Sequence, residues 1–204
     1  LHDLVEDIAA RGVLCEGVLA PGVWCKRTED EMAKLAAGAA TGAGVAAGLG
    51  GASAYEKLGI ENRLLPDGPT IVFGRRRDLV EGGGAPAGSQ SEKARLGWAI
   101  SDEAICRVNA HLEGLAACSD APVSAEERHR LPFADEGPAA GFPSPSAFLV
   151  VDELGILELK RGGGLTGALQ LLETGPTARH PHALAVVRSH LVEDARAKLE
   201  PAWG

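Results

Sequence analysis

The sequence predicts an α/β domain built on a mostly parallel sheet, and three stretches carry that prediction. Phe148-Leu149-Val150-Val151 is a continuous apolar run that ends in Asp152-Glu153 and, one residue later, Gly155. An apolar run without alternation reads as a strand buried on both faces, as the inner strands of parallel sheets are. Ala183-Leu184-Ala185-Val186-Val187 is a second such run and ends in Arg188. One amphipathic, helix-length segment, Leu165 to Leu172, lies between them, which is the βαβ spacing of parallel neighbours. At the amino end, Leu1, Leu4, Val5 and Ile8 share one helical face, with Asp3, Glu6 and Asp7 opposite, and Val13 to Ala20 follows as a strand.

Gly12 is placed to end the first helix as its C′ residue, and Pro21-Gly22 stops the first strand. From Leu35 to Tyr55 there is no charge, and Gly38 to Gly51 is almost wholly Ala and Gly. The length raises a membrane span. Only Leu35, Val45 and Leu49 are strongly apolar, however, and the glycines oppose a stable helix. The stretch about 35–55 therefore reads as a weakly ordered insertion outside any membrane. It is no phosphate cradle either, since it lacks a Lys and a preceding strand.

Leu64 to Gly74 reads as a hairpin turning at Pro66-Asp67-Gly68. Arg75-Arg76-Arg77-Asp78 follows, as a solvated basic turn or as a guanidinium cluster suited to phosphates. Glu81 to Ser91 has the composition of a flexible linker. Gly97-Trp98-Ala99-Ile100 leads to Ser101, a natural N-cap with Ala104 at N3. The helix it opens carries an apolar stripe at Ile105, Val108, Leu112 and Leu115, and Asn109 and His111 on it read as surface or packing residues. Ser119 to Ser146, rich in Pro and charge, is expected to be a long loop (about 119–146). His180-Pro181-His182 reads as a surface turn rather than a metal site. Ser189 is placed to cap the last helix, whose apolar positions are Leu191, Val192, Ala195 and Leu199.

The 204 residues suit a single domain, 1–204, with ample core. Aromatics are only 4% against 45% hydrophobic residues, so that core rests on Leu, Val, Ile and Ala. A net charge of −8 argues against a nucleic-acid or anionic-membrane surface but allows a local basic site for phosphates. Cys15, Cys25, Cys106 and Cys118 form no C-x-x-C pair, which favours free thiols in a reducing cytoplasm over disulfides or zinc. The amino-terminal segment is acidic and amphipathic, unlike a signal peptide. Residue 1 is Leu rather than Met, so the chain is expected to begin inside a longer product.

Asp152 and Glu153, at the carboxyl end of the central strand, occupy the place where open α/β sheets bind ligands. One carboxylate can hold Mg²⁺, directly or through water, while its neighbour orients or deprotonates an attacking water. The plainer alternative is a core strand ending in a solvated acidic turn.

Val150-Val151-Asp152-Glu153-Leu154-Gly155-Ile156-Leu157-Glu158-Leu159 resembles the Walker B segment of the THEP1-type nucleoside-triphosphatases. That pattern is an apolar strand, Asp-Glu, an aliphatic residue, Gly, two residues and Glu-Leu. The resemblance continues through Arg161-Gly162-Gly163-Gly164 to Leu199, and the first helix and strand fit more loosely. It implies a three-layer P-loop NTPase-like fold and Mg²⁺-dependent hydrolysis of a nucleoside triphosphate to the diphosphate and phosphate. By this resemblance Asp152 helps hold Mg²⁺ and Glu153 positions or deprotonates water. Arg188 stabilises γ-phosphate charge or pairs with Glu153 or Glu158. Gly155 and Glu158 match the family pattern, and Glu158, with no chemical role of its own, is expected to order the loop after the strand. Arg75 and Arg76 follow a hairpin that in the family sits over the nucleotide.

The P-loop pattern G-x-x-x-x-G-K-[ST] is absent from the chain. Its expected place, with the first strand, is just before Leu1; either it was lost by truncation or this branch never had it. Three readings follow: a nucleoside-triphosphatase completed by an upstream P-loop, a non-catalytic binding or regulatory module on the same scaffold, or a nucleotide kinase with the insertion as acceptor lid. The partner implied by the resemblance is a nucleoside triphosphate. Base preference and oligomeric state are not legible.

Overall fold

The computed structural model describes residues 1–33, 54–81, 86–94, 96–118, 122–123 and 146–204. Nearly all of the expected insertion (35–55) and of the long loop (119–146) therefore lies outside the described residues.

Helix α1 (His2–Ala10) ends where expected: the amides of Arg11 and Gly12 return to the carbonyls of Ile8 and Ala9, and Gly12 takes φ +83°. Strands β1 (Leu14–Leu19) and β2 (Gly22–Lys26) follow. Next come β3 (Tyr55–Leu65) and β4 (Thr70–Arg76), joined by the expected Pro-Asp-Gly turn. The short helix α2 (Gln90–Lys93) and β5 (Trp98–Ile100) lead into α3 (Asp102–Ala117). Its N-cap is Ser101, whose Oγ accepts from the Ala104 amide at 3.2 Å. The chain closes with β6 (Ala147–Leu154), α4 (Thr166–Glu173), β7 (His182–Val187) and α5 (Val192–Trp203).

These strands form one mixed, seven-stranded sheet in the order β5-β4-β3-β1-β6-β7, with β2 also on β3. Strand β6 runs parallel to both β1 and β7, so the acidic strand is internal and lies beside the strand that ends at Arg188. The parallel arrangement stops there. β3, β4 and β5 pair antiparallel, and β1 and β2 lie one after the other along the same edge of β3, also antiparallel. For β3 and β4 the four-residue turn dictates this, because parallel neighbours need a crossover of about a dozen residues or more.

The unbroken apolar run of β6 is buried on both sides. Leu149 and Val151 join the larger core with Val18 and Ile60 under α3, α4 and α5. Val150 faces the other way and packs with Val5, Cys15, Leu19 and Leu65 under α1. Each such side chain contributes roughly 1.5–3 kcal/mol on burial. Gly17 lets β1 approach: its φ is +120°, and a Cβ there would lie 2.0 Å from the Val150 carbonyl oxygen.

Three expectations need correction. His180 is no surface residue: it is 2% exposed and its Nε2 lies 2.8 Å from Glu16 Oε2. Arg179 binds the same buried carboxylate, so β1 is tied to the entry of β7 across β6. The carboxyl end of the supposed linker is structured, with Ser89 and Ser91 buried and Ser89 capping α2. Ser189 opens a 3-10 turn, and Leu191 is the N-cap of α5. The four cysteines are free thiols, as expected; burial pushes the Cys15 thiol up. Among the described residues no helix is long and apolar enough to cross a membrane.

Candidate functional site

At the carboxyl end of β6 the register with β7 breaks. Val151 pairs with Ala185 and Leu154 with Val187, so Asp152 and Glu153 together face the single residue Val186. Such a bulge bends the strand and re-aims its side chains. Glu153 pays for the bend with φ +73°, the one positive φ at a non-glycine residue among the described residues. That left-handed conformation costs an L-residue about 1–2 kcal/mol, and strain of this kind gathers at functional sites.

The bulge sends the two carboxylates to opposite neighbours. Asp152 Oδ2 accepts from the Ala20 amide just beyond β1, at 2.8 Å. Glu153 Oε1 accepts from Arg188 Nε at 2.9 Å and also from Nη2. Of the partners open to Arg188, Glu153 is the one it takes.

Glu158 orders the loop that follows. It is 7% exposed; Oε2 accepts from the Gly155 amide at 2.8 Å and Oε1 from the Leu165 amide at 2.7 Å. The carboxylate thus joins the loop's start to the entry of α4. Gly164 passes so close that a Cβ would fall 1.9 Å from Glu158 Oε1, and its φ is +68°. Its amide donates to Gln90 Oε1 at 2.7 Å. Asn109 donates to the Gly164 carbonyl and accepts from the Gly167 amide, each at 3.0 Å. The amides of Gly155, Gly164, Leu165 and Gly167 are therefore committed to side-chain acceptors rather than turned out as an anion cradle.

A cavity of about 320 Å³ opens at this end of the sheet. Asp152, Glu153, Gly155, Glu158 and Arg188 line one part of it, so these predicted residues meet in space. Ile60, Phe73, Trp98 and Ile100 wall the other part. Arg75 and Arg76 are not in its lining. Arg76 instead bonds Glu56 at 2.7 Å and Asp78 at 2.6 and 2.8 Å, and Arg75 lies exposed on β4. A larger groove of about 480 Å³ between β7 and α5 is walled mainly by Ala183, Ala185, Val187, Leu199 and Trp203, and neither Asp152 nor Glu153 is in its lining.

Asn62 also lines the cavity, and nothing in the sequence reading singled it out. It is 0% exposed, and neither Oδ1 nor Nδ2 has a hydrogen-bond partner. A buried polar group left so costs about 1–3 kcal/mol. The signal was available in the alternation Ile60, Asn62, Leu64, where one polar residue interrupts an inward-facing apolar row. Gln90, Asn109 and the Ala20 amide, which position the site, carry no comparable local signal.

Oxygen donors such as Asp152 and Glu153 suit a hard cation. Mg²⁺ commonly takes only one or two carboxylates and completes its shell with water and phosphate. Asp152 and Glu153 are thus donors of the type that a hard cation takes. Among the described residues the one group of three closely spaced candidate ligands is elsewhere, at His2, Asp3 and Glu6 on the exposed side of α1.

Fold and site together define an α/β protein with a mixed sheet and a ligand-sized cavity at the carboxyl end of an internal parallel strand. No protein-family model matches the chain, and no curated protein or solved structure matches it significantly.

Proposed function

We propose that this cavity is the acidic part of a Mg²⁺-dependent nucleoside-triphosphatase site. The observation that carries the reading is the convergence of two charged strand ends, Asp152-Glu153 and Arg188, on one cavity. Asp152, anchored through Oδ2 by the Ala20 amide, would hold the cation. Bound Mg²⁺ would neutralise charge on the β- and γ-phosphate oxygens. Glu153 would orient the attacking water and take its proton. Arg188, whose side chain is 51% exposed, would exchange Glu153 for the more highly charged γ-phosphate, releasing that carboxylate for the water.

The phosphates need backbone amides that the loop after β6 does not offer. Among the described residues β7 is paired on one edge only, and a strand added parallel there would end beside Arg188. Helix α1 begins at the same end of the sheet: His2 Nε2 lies 3.3 Å from Arg63, the register partner of Leu19. A phosphate-binding loop between such a strand and α1 would open at the cavity. That arrangement supports the P-loop NTPase-like reading of the fold.

The test is equilibrium binding of ATP to the protein, with Mg²⁺ and with EDTA. Binding should require Mg²⁺, and Asp152→Asn should weaken it about tenfold or more. Equal binding in both media, untouched by Asp152→Asn, would contradict the assignment.

One observation favours the non-catalytic reading. Glu153 Oε1 is already taken by Arg188, and both oxygens of Glu158 are taken by backbone amides. A binding module would hold Mg²⁺-nucleotide without turning it over.

A further inference from the structure

We propose that the inner part of the cavity binds an uncharged, planar heterocycle carrying a donor and an acceptor side by side, a nucleobase or nucleoside, through the carboxamide of Asn62. Both polar atoms of Asn62 lack a partner although the residue is completely buried, and it lines the cavity. A carboxamide offers an acceptor and a donor in one plane, so its complement is a flat ligand edge presenting the reverse pair. Nucleobase edges have that pattern.

The walls fit the same ligand. Ile60 precedes Asn62 on the inward face of β3, and Phe73, Trp98 and Ile100 come from β4 and β5. Flat rings gain by stacking on aromatic side chains. Lys57 Nζ lies 5.6 Å from the Trp98 ring centroid and braces that indole. The whole cavity, about 320 Å³ with its acidic part included, lies at the small end of ligand pockets and suits a nucleoside better than a whole nucleoside triphosphate.

Position separates this subsite from the carboxylates. Leu19 pairs with Arg63 and the Glu61 amide donates to the Pro21 carbonyl, so Ala20 lies opposite Asn62. The Ala20 amide in turn holds Asp152. Asn62 and Asp152 are thus two strand spacings apart, on the order of 10 Å. A ring at Asn62 clears the acidic group and needs neither phosphate nor metal, so this proposal does not rest on the triphosphatase reading.

The experiment is calorimetric titration of the protein with adenosine, guanosine, cytidine and uridine in EDTA. At least one should bind with a Kd of about 1 mM or tighter. Asn62→Leu should weaken that nucleoside at least about tenfold, having lost two hydrogen bonds. It should also raise the melting temperature of the unliganded protein, because the buried amide is gone. Asn62→Asp, which keeps the size but removes the donor, should weaken the same nucleoside and carries the test if the Leu variant does not fold. Failure of all four nucleosides to bind, leaving water as the only occupant, would overturn the proposal. So would unchanged affinity in a folded Asn62 variant.

Discussion

Glu153 Oε1 lies 2.9 Å from Arg188 Nε, so an ion pair joins the charged ends of two adjacent parallel strands across a bulge. The pair is half-exposed, and pairs of that kind contribute at most about 1 kcal/mol. The strain in the Glu153 backbone costs at least as much. The local geometry is therefore held by the surrounding sheet rather than by the pair.

That balance predicts the outcome of substitutions at Glu153. Glu153→Gly removes the strain along with the pair and should leave the melting temperature unchanged or raised. Glu153→Val places a β-branched residue at φ +73° and should destabilise by about 1–3 kcal/mol relative to the Gly variant. Thermal and denaturant unfolding of the two variants checks the order; a Val variant as stable as the Gly variant would contradict it.

The loop after β6 should be brittle at two linked positions. Gly164→Ala puts a Cβ into Glu158 and should cost about 1–3 kcal/mol or more. Glu158→Gln sets an amide nitrogen against a backbone N–H and should cost about 1–3 kcal/mol. Both act through the same contact, so the double variant should lose less than the sum. Urea unfolding of the three proteins measures the coupling, and strict additivity would separate the two residues.

Acid should loosen the junction of β1 with the entry of β7. Burial alone pushes the Glu16 carboxyl up, but hydrogen bonds from His180 and Arg179 outweigh it and hold it at about 2, against an ordinary 4.5. The folded value is depressed, so the stabilisation is complete above about pH 4.5 and is lost as pH falls toward 2. Its size is roughly 3 kcal/mol. Glu16→Gln should flatten the decline in unfolding free energy across that window, and an identical decline in both proteins would remove Glu16 as its source.

The parts of the fold legible in the sequence are those whose signal is local. Phe148 to Val151 shows a double-sided core in its lack of alternation, Ser101 caps in place, and Pro66-Asp67-Gly68 turns the hairpin. Strand β2 carries little local signal, because Val23 and Trp24 stay exposed and its order comes from pairing with β3. Helix α2 is too short to show a period. The burial of His180 has no local signal, because its partner, Glu16, is 164 positions away. The arginine run after β4 reads as either a basic turn or a phosphate cluster, and only the fold shows that Glu56 on β3 and Asp78 engage Arg76. At the site, the identity of the charged strand ends was legible. Their division by the bulge between Ala20 and Arg188 was not, because it depends on sheet register.

The most direct test is phosphate release from ATP by the protein, comparing wild type with Glu153→Gln in the presence of Mg²⁺. The account predicts slow release by the wild type and a loss on the order of 10²–10⁴ in the variant, with ATP binding retained. Equal rates would remove Glu153 from the mechanism, and ATP binding without release by the wild type would contradict hydrolysis and leave the binding module.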